Sequence, residues 1–224
     1  MTPEQLTGQT NDHLVPVTIG QKEFLIHPNV QNDLLALSAA AQQAGFQMHI
    51  ASGFRDYARQ KAIWDNKFSG HSTINDTHNQ AIPFDSMTEE QRIFAILRWS
   101  ALPGASRHHW GTDFDLFAAD RLPENTKLQL ETWEYDTGHQ AEFSIWLKTN
   151  LGTFGFFIPY SQDLGGVAVE PWHISHRLTA ASCLEQLTQD QLASQIKTLP
   201  ILGQEQVLQN LPTIYTQYVT NIRS

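Results

Sequence analysis

The spacing of apolar residues predicts a mixture of strands and helices in the first part of the chain. Strands are predicted where apolar and polar residues alternate, and helices where apolar residues recur every three or four positions. The predicted elements are a short N-terminal helix capped by Thr2, a hairpin of strands 14–19 and 24–26, a helix over 28–44, a strand over 46–51 and a helix over 56–68. The segment 52–55 therefore connects a strand to a helix, and such connections often carry binding residues.

The second part of the chain continues the alternation of elements. Residues 69–86 are rich in Gly, Ser, Asn, Asp and His and are predicted to form a long loop, in which neither His71 nor His78 is expected to bind a metal. The further predicted elements are a helix over 88–102, a strand over 112–118, an outer hairpin or loop around 128–133, a helix over 140–151, an apolar wall over 154–159, a turn and strand over 165–169, and two C-terminal helices over 184–199 and 204–222.

These patterns predict an α+β fold in which a small antiparallel sheet is flanked by helices, followed by a pair of C-terminal helices. With 224 residues, of which 41% are hydrophobic, the chain is expected to form a single domain, 1–224. Its catalytic core is expected at about 45–177, and the helical extension at about 178–224. No functional residue is predicted in the extension, which is expected to brace the domain or to form a dimer contact.

Two segments carry the residue types of a catalytic zinc site. The first is Ser-Arg-His-His-Trp-Gly-Thr-Asp-Phe-Asp at 106–115, and the second is Glu-Pro-Trp-His at 170–173. Zinc in enzymes binds three protein ligands and leaves a fourth position for water, and imidazole and carboxylate are suitable ligands. We predict His108, Asp115 and His173 as these ligands, and Glu170 as the base that accepts a proton from the attacking water. Asp113 would face the same side of a strand as Asp115 and is an alternative ligand.

These motifs together resemble the signature of the VanY-type D,D- and L,D-carboxypeptidases, which belong to metallopeptidase family M15. The resemblance covers roughly residues 45–177 and includes Ser-Gly-Phe-Arg at 52–55 with Gln60 five residues after Arg55, and Gly-Phe-Phe-Ile-Pro-Tyr at 155–160. It implies a fold like that of the hedgehog fragment and the D,D-peptidases. One departure is Asp113, which stands where the family often has a small residue.

The resemblance also implies roles for further residues. Arg55 is expected to stabilise the developing oxyanion or to hold the terminal carboxylate of the substrate, unless it only forms a surface ion pair with Asp56 or Asp65. The other expected substrate contacts are Gln60, Ser106, Tyr160 and Trp172. His109 is not expected to be a ligand, and His176 is expected at the rim of the site or behind a ligand.

The implied function is the zinc-dependent release of a terminal D-alanine from peptidoglycan stem peptides. The alternatives are a D,D-carboxypeptidase acting on pentapeptides, a phage-lysin-type endopeptidase, and a zinc-binding domain without catalysis. The net charge of −9 argues against a nucleic-acid partner, and no segment is long and apolar enough to span a membrane. Cys183 is the only cysteine, so no intramolecular disulfide is expected.

The expected location of the protein favours one substrate over the others. Residues 1–21 lack the positive charge and the apolar run of a secretory signal, so a cytoplasmic location is expected, or a periplasmic one if a leader was removed. A cytoplasmic enzyme of this type would act as an L,D-carboxypeptidase on imported tetrapeptides during cell-wall recycling. The sequence makes no prediction about the oligomeric state.

Overall fold

A computed structural model describes residues 1–76 and 80–222 of the chain, so His78 lies outside the described residues. The strands are β1 (Val15–Ile19), β2 (Lys22–Ile26), β3 (Met48–Ser52), β4 (Asp113–Ala118), β5 (Phe156–Phe157) and β6 (His173–His176). The α-helices are α1 (Pro3–Leu6), α2 (Gln31–Gln43), α3 (Tyr57–Phe68), α4 (Glu89–Leu97), α5 (Thr132–Asp136), α6 (Ala141–Asn150), α7 (Arg177–Gln186), α8 (Gln189–Thr198), α9 (Gln204–Gln209) and α10 (Leu211–Ile214). In the part of the chain that the structure describes, no helix is both long and apolar enough to cross a bilayer.

Two antiparallel sheets organise these elements. Strands β1 and β2 form the predicted hairpin, and the larger sheet has the strand order β3-β4-β6-β5. In this larger sheet Asp115 of β4 pairs with Ser52 of β3 on one side and with His173 of β6 on the other. The register therefore places the predicted ligand Asp115 directly beside the predicted ligand His173. Both lie near the end of β3 that leads to Arg55. The predicted α+β class, with a small antiparallel sheet flanked by helices, is confirmed.

Strand β4 separates an apolar core from a polar site because its side chains alternate between the two faces of the sheet. Phe114, Leu116 and Ala118 are fully buried in a core that also includes residues of the hairpin, α2 and α6. Asp113 and Asp115 point to the other face, as predicted from their spacing. A second core joins α1, α3 and α4 to the C-terminal helices.

Three predicted elements differ from the structure in the central part of the chain. Helix α4 ends at Leu97, before the predicted boundary at 102. Around 128–133, where an outer hairpin or loop was predicted, the structure has a loop up to Glu131 and then the short helix α5. The predicted strand at 167–169 is also wrong, because Ala168 donates its N–H to the carbonyl of Arg98 rather than to a strand.

Up to residue 222, where the described chain ends, the C-terminal extension contains four helices instead of the predicted pair, and the last helix continues as a π-helical turn at Tyr215–Val219. Thr188 begins a new helix within the predicted segment 184–199, because its side chain accepts the N–H of Gln191 in a capping box. Proline at position 212 similarly occupies the first turn of α10, where its missing N–H has no cost. Local capping thus outweighs a continuous amphipathic pattern.

Candidate active site and metal centre

The three predicted ligands are brought together by two strands and one tight turn. Asp115 and His173 lie on the paired strands β4 and β6, and His108 lies in a 3-10 turn over Arg107–Trp110. Gly111 ends this turn with φ of 67°. A Cβ at this position would lie 2.9 Å from the backbone nitrogen of His27, so only glycine fits. The turn can therefore bring His108 back to the strand that carries Asp115.

The ligand atoms of His108, Asp115 and His173 all lie within 4.8 Å of one another. Nδ1 of His173 is 3.2 Å from Oδ1 of Asp115, and Nε2 of His108 is 3.5 Å from Oδ2 of the same carboxylate. All three residues are buried, at 4 to 6% exposure. The arrangement leaves Nδ1 of His173 and Nε2 of His108 directed at one small space beside the carboxylate.

Asp113 has a different role from Asp115, although both face the same side of β4. Its carboxylate accepts hydrogen bonds from Nε of Arg107 at 2.8 Å and from the hydroxyl of Thr112 at 2.6 Å. It also lies 3.1 Å from Nε2 of His173, and because a carboxylate only accepts, this nitrogen must carry the proton. Asp113 thus orients His173 so that Nδ1 faces Asp115, as carboxylates behind metal-binding histidines do.

The electrostatics of this group fit a bound cation. Burial lowers the pKa of His108 to about 3, so its imidazole is neutral and able to bind a metal. Burial also opposes the protonation of His173, but the three carboxylates around it raise its pKa well above the ordinary value. When Nδ1 of His173 is protonated, it can donate to the buried Oδ1 of Asp115, which lies 3.2 Å away. A metal ion would satisfy this oxygen and replace the proton on His173.

Glu170 stands beside the predicted ligands without being one of the three. Its Oε2 atom lies 3.3 Å from Nδ1 of His173, and its backbone N–H donates to the carbonyl of Tyr160. The turn 170–173 is closed by a hydrogen bond from the N–H of His173 to the carbonyl of Glu170. Burial raises the pKa of Glu170, which makes this carboxylate a stronger base.

Arg55 is held in the site by neutral partners. Its Nη1 donates to Oε1 of Gln60 at 2.8 Å, and its Nη2 donates to the hydroxyl of Ser52 at 2.9 Å. The alternative of a surface ion pair is wrong, since Asp56 caps α3 and Asp65 pairs with Lys61. The charge of Arg55 is therefore available to a bound anion.

A cavity of about 340 Å³ opens over these residues. It is lined by the predicted ligands, Glu170 and Arg55, and by three of the expected substrate contacts, Ser106, Tyr160 and Trp172. Gln60 does not line the cavity. It is fully buried, and its Nε2 donates to the carbonyl of Ala101 at 2.7 Å. The expectation that Gln60 touches the substrate is thus not met, because this side chain positions Arg55 instead.

Two other histidines near the motifs have structural roles. His109 is fully buried, and its Nδ1 lies 2.6 Å from the carbonyl of Arg55 while its Nε2 accepts the N–H of Gly104. His176 lies on the opposite face of β6 from His173, where its Nε2 pairs with Asp33 and its Nδ1 accepts the N–H of Thr179 in the first turn of α7. The expectation that His176 borders the site is wrong.

Sequence reasoning missed two residues that shape the site. Arg107 is 4% exposed and forms the buried ion pair with Asp113, but an arginine beside a histidine gives no signal of a partner six residues away. Leu130 lines the cavity from a segment that was predicted only as an outer hairpin or loop. Its hydrophobic character was visible, but its position depends on tertiary contacts of α5.

Comparison with known proteins identifies the family of the chain. The family model described as VanY, D-alanyl-D-alanine carboxypeptidase, matches residues 23–178. An uncharacterized protein of Haemophilus influenzae is 39% identical over 121 residues, which are 53% of this chain and 92% of that protein. A D-alanyl-D-alanine carboxypeptidase of Enterococcus faecalis is 31% identical over 172 residues, which are 75% of this chain. The chain spans about half (53%) of the length of this second relative.

Solved structures share the fold. VanYB in complex with D-alanine-D-alanine has a TM-score of 0.53 and 23% identity, over 88% of this chain and 87% of that one. A mutant of the vancomycin resistance D,D-pentapeptidase VanY in complex with Zn(II) has a TM-score of 0.52 and 24% identity, over 80% of this chain and 88% of that one. The family model spans more than half of the chain. The protein therefore belongs to the VanY family of D-alanyl-D-alanine carboxypeptidases, and the predicted class of enzyme, a metallocarboxypeptidase, is confirmed.

Proposed function

We propose that this protein is a zinc-dependent carboxypeptidase that releases the terminal D-alanine from peptidoglycan stem peptides. The observation that carries the proposal is the convergence of His108, Asp115 and His173 within 4.8 Å, with Glu170 beside them in the same cavity. The family match supports the reaction, and the VanY relative with bound Zn(II) supports the choice of metal.

The proposed zinc ligands are Nε2 of His108, the carboxylate of Asp115 and Nδ1 of His173. When bound, zinc would polarise the scissile carbonyl and make a water molecule acidic enough to lose its proton near neutral pH. The donor set suits this ion, because two neutral imidazoles and one carboxylate leave a position for water. The hydrogen bond between His173 and Asp113 keeps the required tautomer.

Glu170 is the proposed general base. Its carboxylate lies next to the ligand set, and the raised pKa brings its proton affinity closer to that needed at neutral pH. It would accept the proton of the attacking water and then deliver it to the amine of the departing D-alanine. The backbone hydrogen bond to Tyr160 fixes the position of this residue.

Arg55 is the proposed anion-binding group. Gln60 and Ser52 occupy one donor on each terminal nitrogen, and the remaining donors of the guanidinium can bind the terminal carboxylate or the developing oxyanion. A carboxypeptidase needs such a group, because it must distinguish a free C-terminus from an internal peptide bond. Ser106, Tyr160 and Trp172 would contact the rest of the substrate from the walls of the cavity.

The preferred stem peptide and the cellular location are further parts of the proposal. We propose L,D-carboxypeptidase action on tetrapeptides in the cytoplasm, with D,D-carboxypeptidase action on pentapeptides as the alternative. The VanYB relative binds D-alanine-D-alanine, which favours the alternative, so the two substrates must be compared directly. Fractionation of cells that express the native gene would test the location.

The experiment uses the zinc-loaded protein and defined tri-, tetra- and pentapeptides of the peptidoglycan stem. Released D-alanine is measured with and without a chelator. The proposal expects release that is abolished by the chelator and restored by zinc, with the tetrapeptide cleaved fastest. Faster cleavage of the pentapeptide would favour the D,D alternative, internal fragments would favour an endopeptidase, and zinc binding without any cleavage would favour a binding domain.

A further inference from the structure

A leucine in an unfavourable backbone conformation faces the active-site cavity. Leu130 has φ of 58°, in the left-handed region that is costly for a residue with a Cβ. Among the described residues, only Asn125 is another non-glycine with positive φ, and asparagine tolerates this region better. Leu130 lines the same cavity as Asp115 and Glu170. Such strained residues persist where the surrounding structure enforces them, often at functional sites.

A buried carboxylate enforces the conformation of Leu130. Glu134 is fully buried and accepts the backbone N–H of Gln129 with both oxygens at 3.2 Å. It also accepts the N–H of Glu131 at 3.0 Å and lies 3.1 Å from Nε2 of His139. The residues on either side of Leu130 are therefore tied to one carboxylate, so the leucine cannot relax without breaking these bonds.

The same short helix connects Leu130 to the proposed zinc ligands. Tyr135, which follows Glu134 in α5, donates its hydroxyl proton to the carbonyl of Leu116 at 2.7 Å. Leu116 follows the proposed ligand Asp115 on β4. The ring of Tyr135 also packs against Trp172, at 5.4 Å between ring centroids. Leu130 is thus held at a fixed place relative to the reacting atoms.

We propose that Leu130 is a specificity-determining residue that limits the size of the side chain on the released residue. This inference rests on the proposed function, since D-alanine is the residue released in both its L,D and its D,D form. A rigid aliphatic wall leaves room for a methyl group and excludes longer side chains. Nine other positive-φ positions of the described chain are occupied by glycine, the residue that this backbone conformation favours. The conformation alone therefore does not explain why residue 130 is a leucine.

The size of the expected effect follows from known hydrophobic pockets. One methylene more or less in such a pocket changes kcat/KM by about 10- to 200-fold. Replacing Leu130 with alanine removes three carbon atoms from the wall. The space gained is therefore sufficient to admit a side chain larger than methyl, provided that the neighbouring residues do not collapse into it.

The test measures kcat/KM of the zinc-loaded protein on three peptides that differ only in the terminal residue, which is D-alanine, D-2-aminobutyrate or D-leucine. In Leu130→Ala, the ratio of D-leucine to D-alanine release should rise at least about tenfold over that of the unchanged protein. Leu130→Gly should give the same change, and glycine is suited to the backbone at this position. The matched control is Asn125→Gly, which changes the other positive-φ non-glycine position of the described chain, in an exposed part of the same loop, and should leave the ratio unchanged.

The outcomes separate this inference from the proposed function. If both Leu130 variants fold and cleave but keep the original ratio, or if Asn125→Gly changes it equally, Leu130 does not select the released residue. If the unchanged protein releases no residue from any of the peptides, it is the proposed function that fails.

Discussion

The buried pair of Arg107 and Asp113 provides a sharp test of how the metal site is supported. Replacing Asp113 with asparagine keeps the shape of the side chain and removes its charge. Arg107 is 4% exposed and would lose its only carboxylate partner among the described residues. His173 would exchange a charged acceptor for the neutral amide oxygen of asparagine, which is a weaker hydrogen-bond partner. The variant is therefore expected to weaken both the fold and the binding of zinc.

Both effects have magnitudes that can be estimated. Removing one partner of a buried ion pair costs about 3–5 kcal/mol, because the other charge remains buried without compensation. In a chain of this size, 1 kcal/mol shifts the melting temperature by about 2–4 °C, so a decrease of about 6–20 °C is expected. Mutating the residue that hydrogen-bonds a metal ligand from behind typically lowers metal affinity by about 10- to 100-fold.

The assay for Asp113→Asn combines two measurements. Thermal unfolding is followed by circular dichroism in the presence of a chelator, and zinc affinity is measured by competition with a coloured chelator. Asp163→Asn is the control, since Asp163 is half-exposed and pairs with Arg98 at the surface, where an ion pair contributes about 0–1 kcal/mol. Equal melting temperatures and zinc affinities of Asp113→Asn and the control would refute the role assigned to Asp113.

Two further predictions concern the ligands and the base. Glu170→Ala should retain zinc and lose D-alanine release by about 100- to 10,000-fold, whereas His173→Ala should lose the metal, which elemental analysis and turnover assays distinguish. Normal turnover in Glu170→Ala would remove this residue from its role. The apparent zinc affinity should rise with pH, because the carboxylates around His173 raise its pKa and zinc must displace the proton held there. Calorimetry in buffers of different ionisation enthalpy would show this proton release, and a pH-independent affinity would contradict it.

The sequence was sufficient to predict the proposed ligands because two of them lie in one short segment and their spacing follows local rules. Period-two alternation along a strand placed Asp113 and Asp115 on the same side, as the structure has them. This alternation did not indicate which of the two carboxylates is the metal ligand. The structure distinguishes them by a side-chain contact, since Arg107 neutralises Asp113 and leaves Asp115 facing His108.

Elements whose partners are distant in sequence were predicted less well. The apolar residues at 167–169 indicated burial correctly for Ala168, but a strand needs a neighbouring strand, and none pairs with this segment among the described residues. Gln60 was likewise expected to contact the substrate because it lies in a familiar motif. Its burial beneath Arg55 depends on the carbonyl of Ala101, whose position only the folded chain defines.

The C-terminal helices show how a segment without site residues still supports the site. Glu170 follows an irregular stretch, 161–169, that has few backbone bonds of its own. Gln217 and Asn221 of the extension donate to the carbonyls of Gly165 and Leu164 in this stretch. A Cβ on Gly166 would lie 2.0 Å from the carbonyl oxygen of Gln217, so the two backbones are in close contact. The extension therefore supports the stretch that leads to the proposed base, although it contains none of the catalytic motifs.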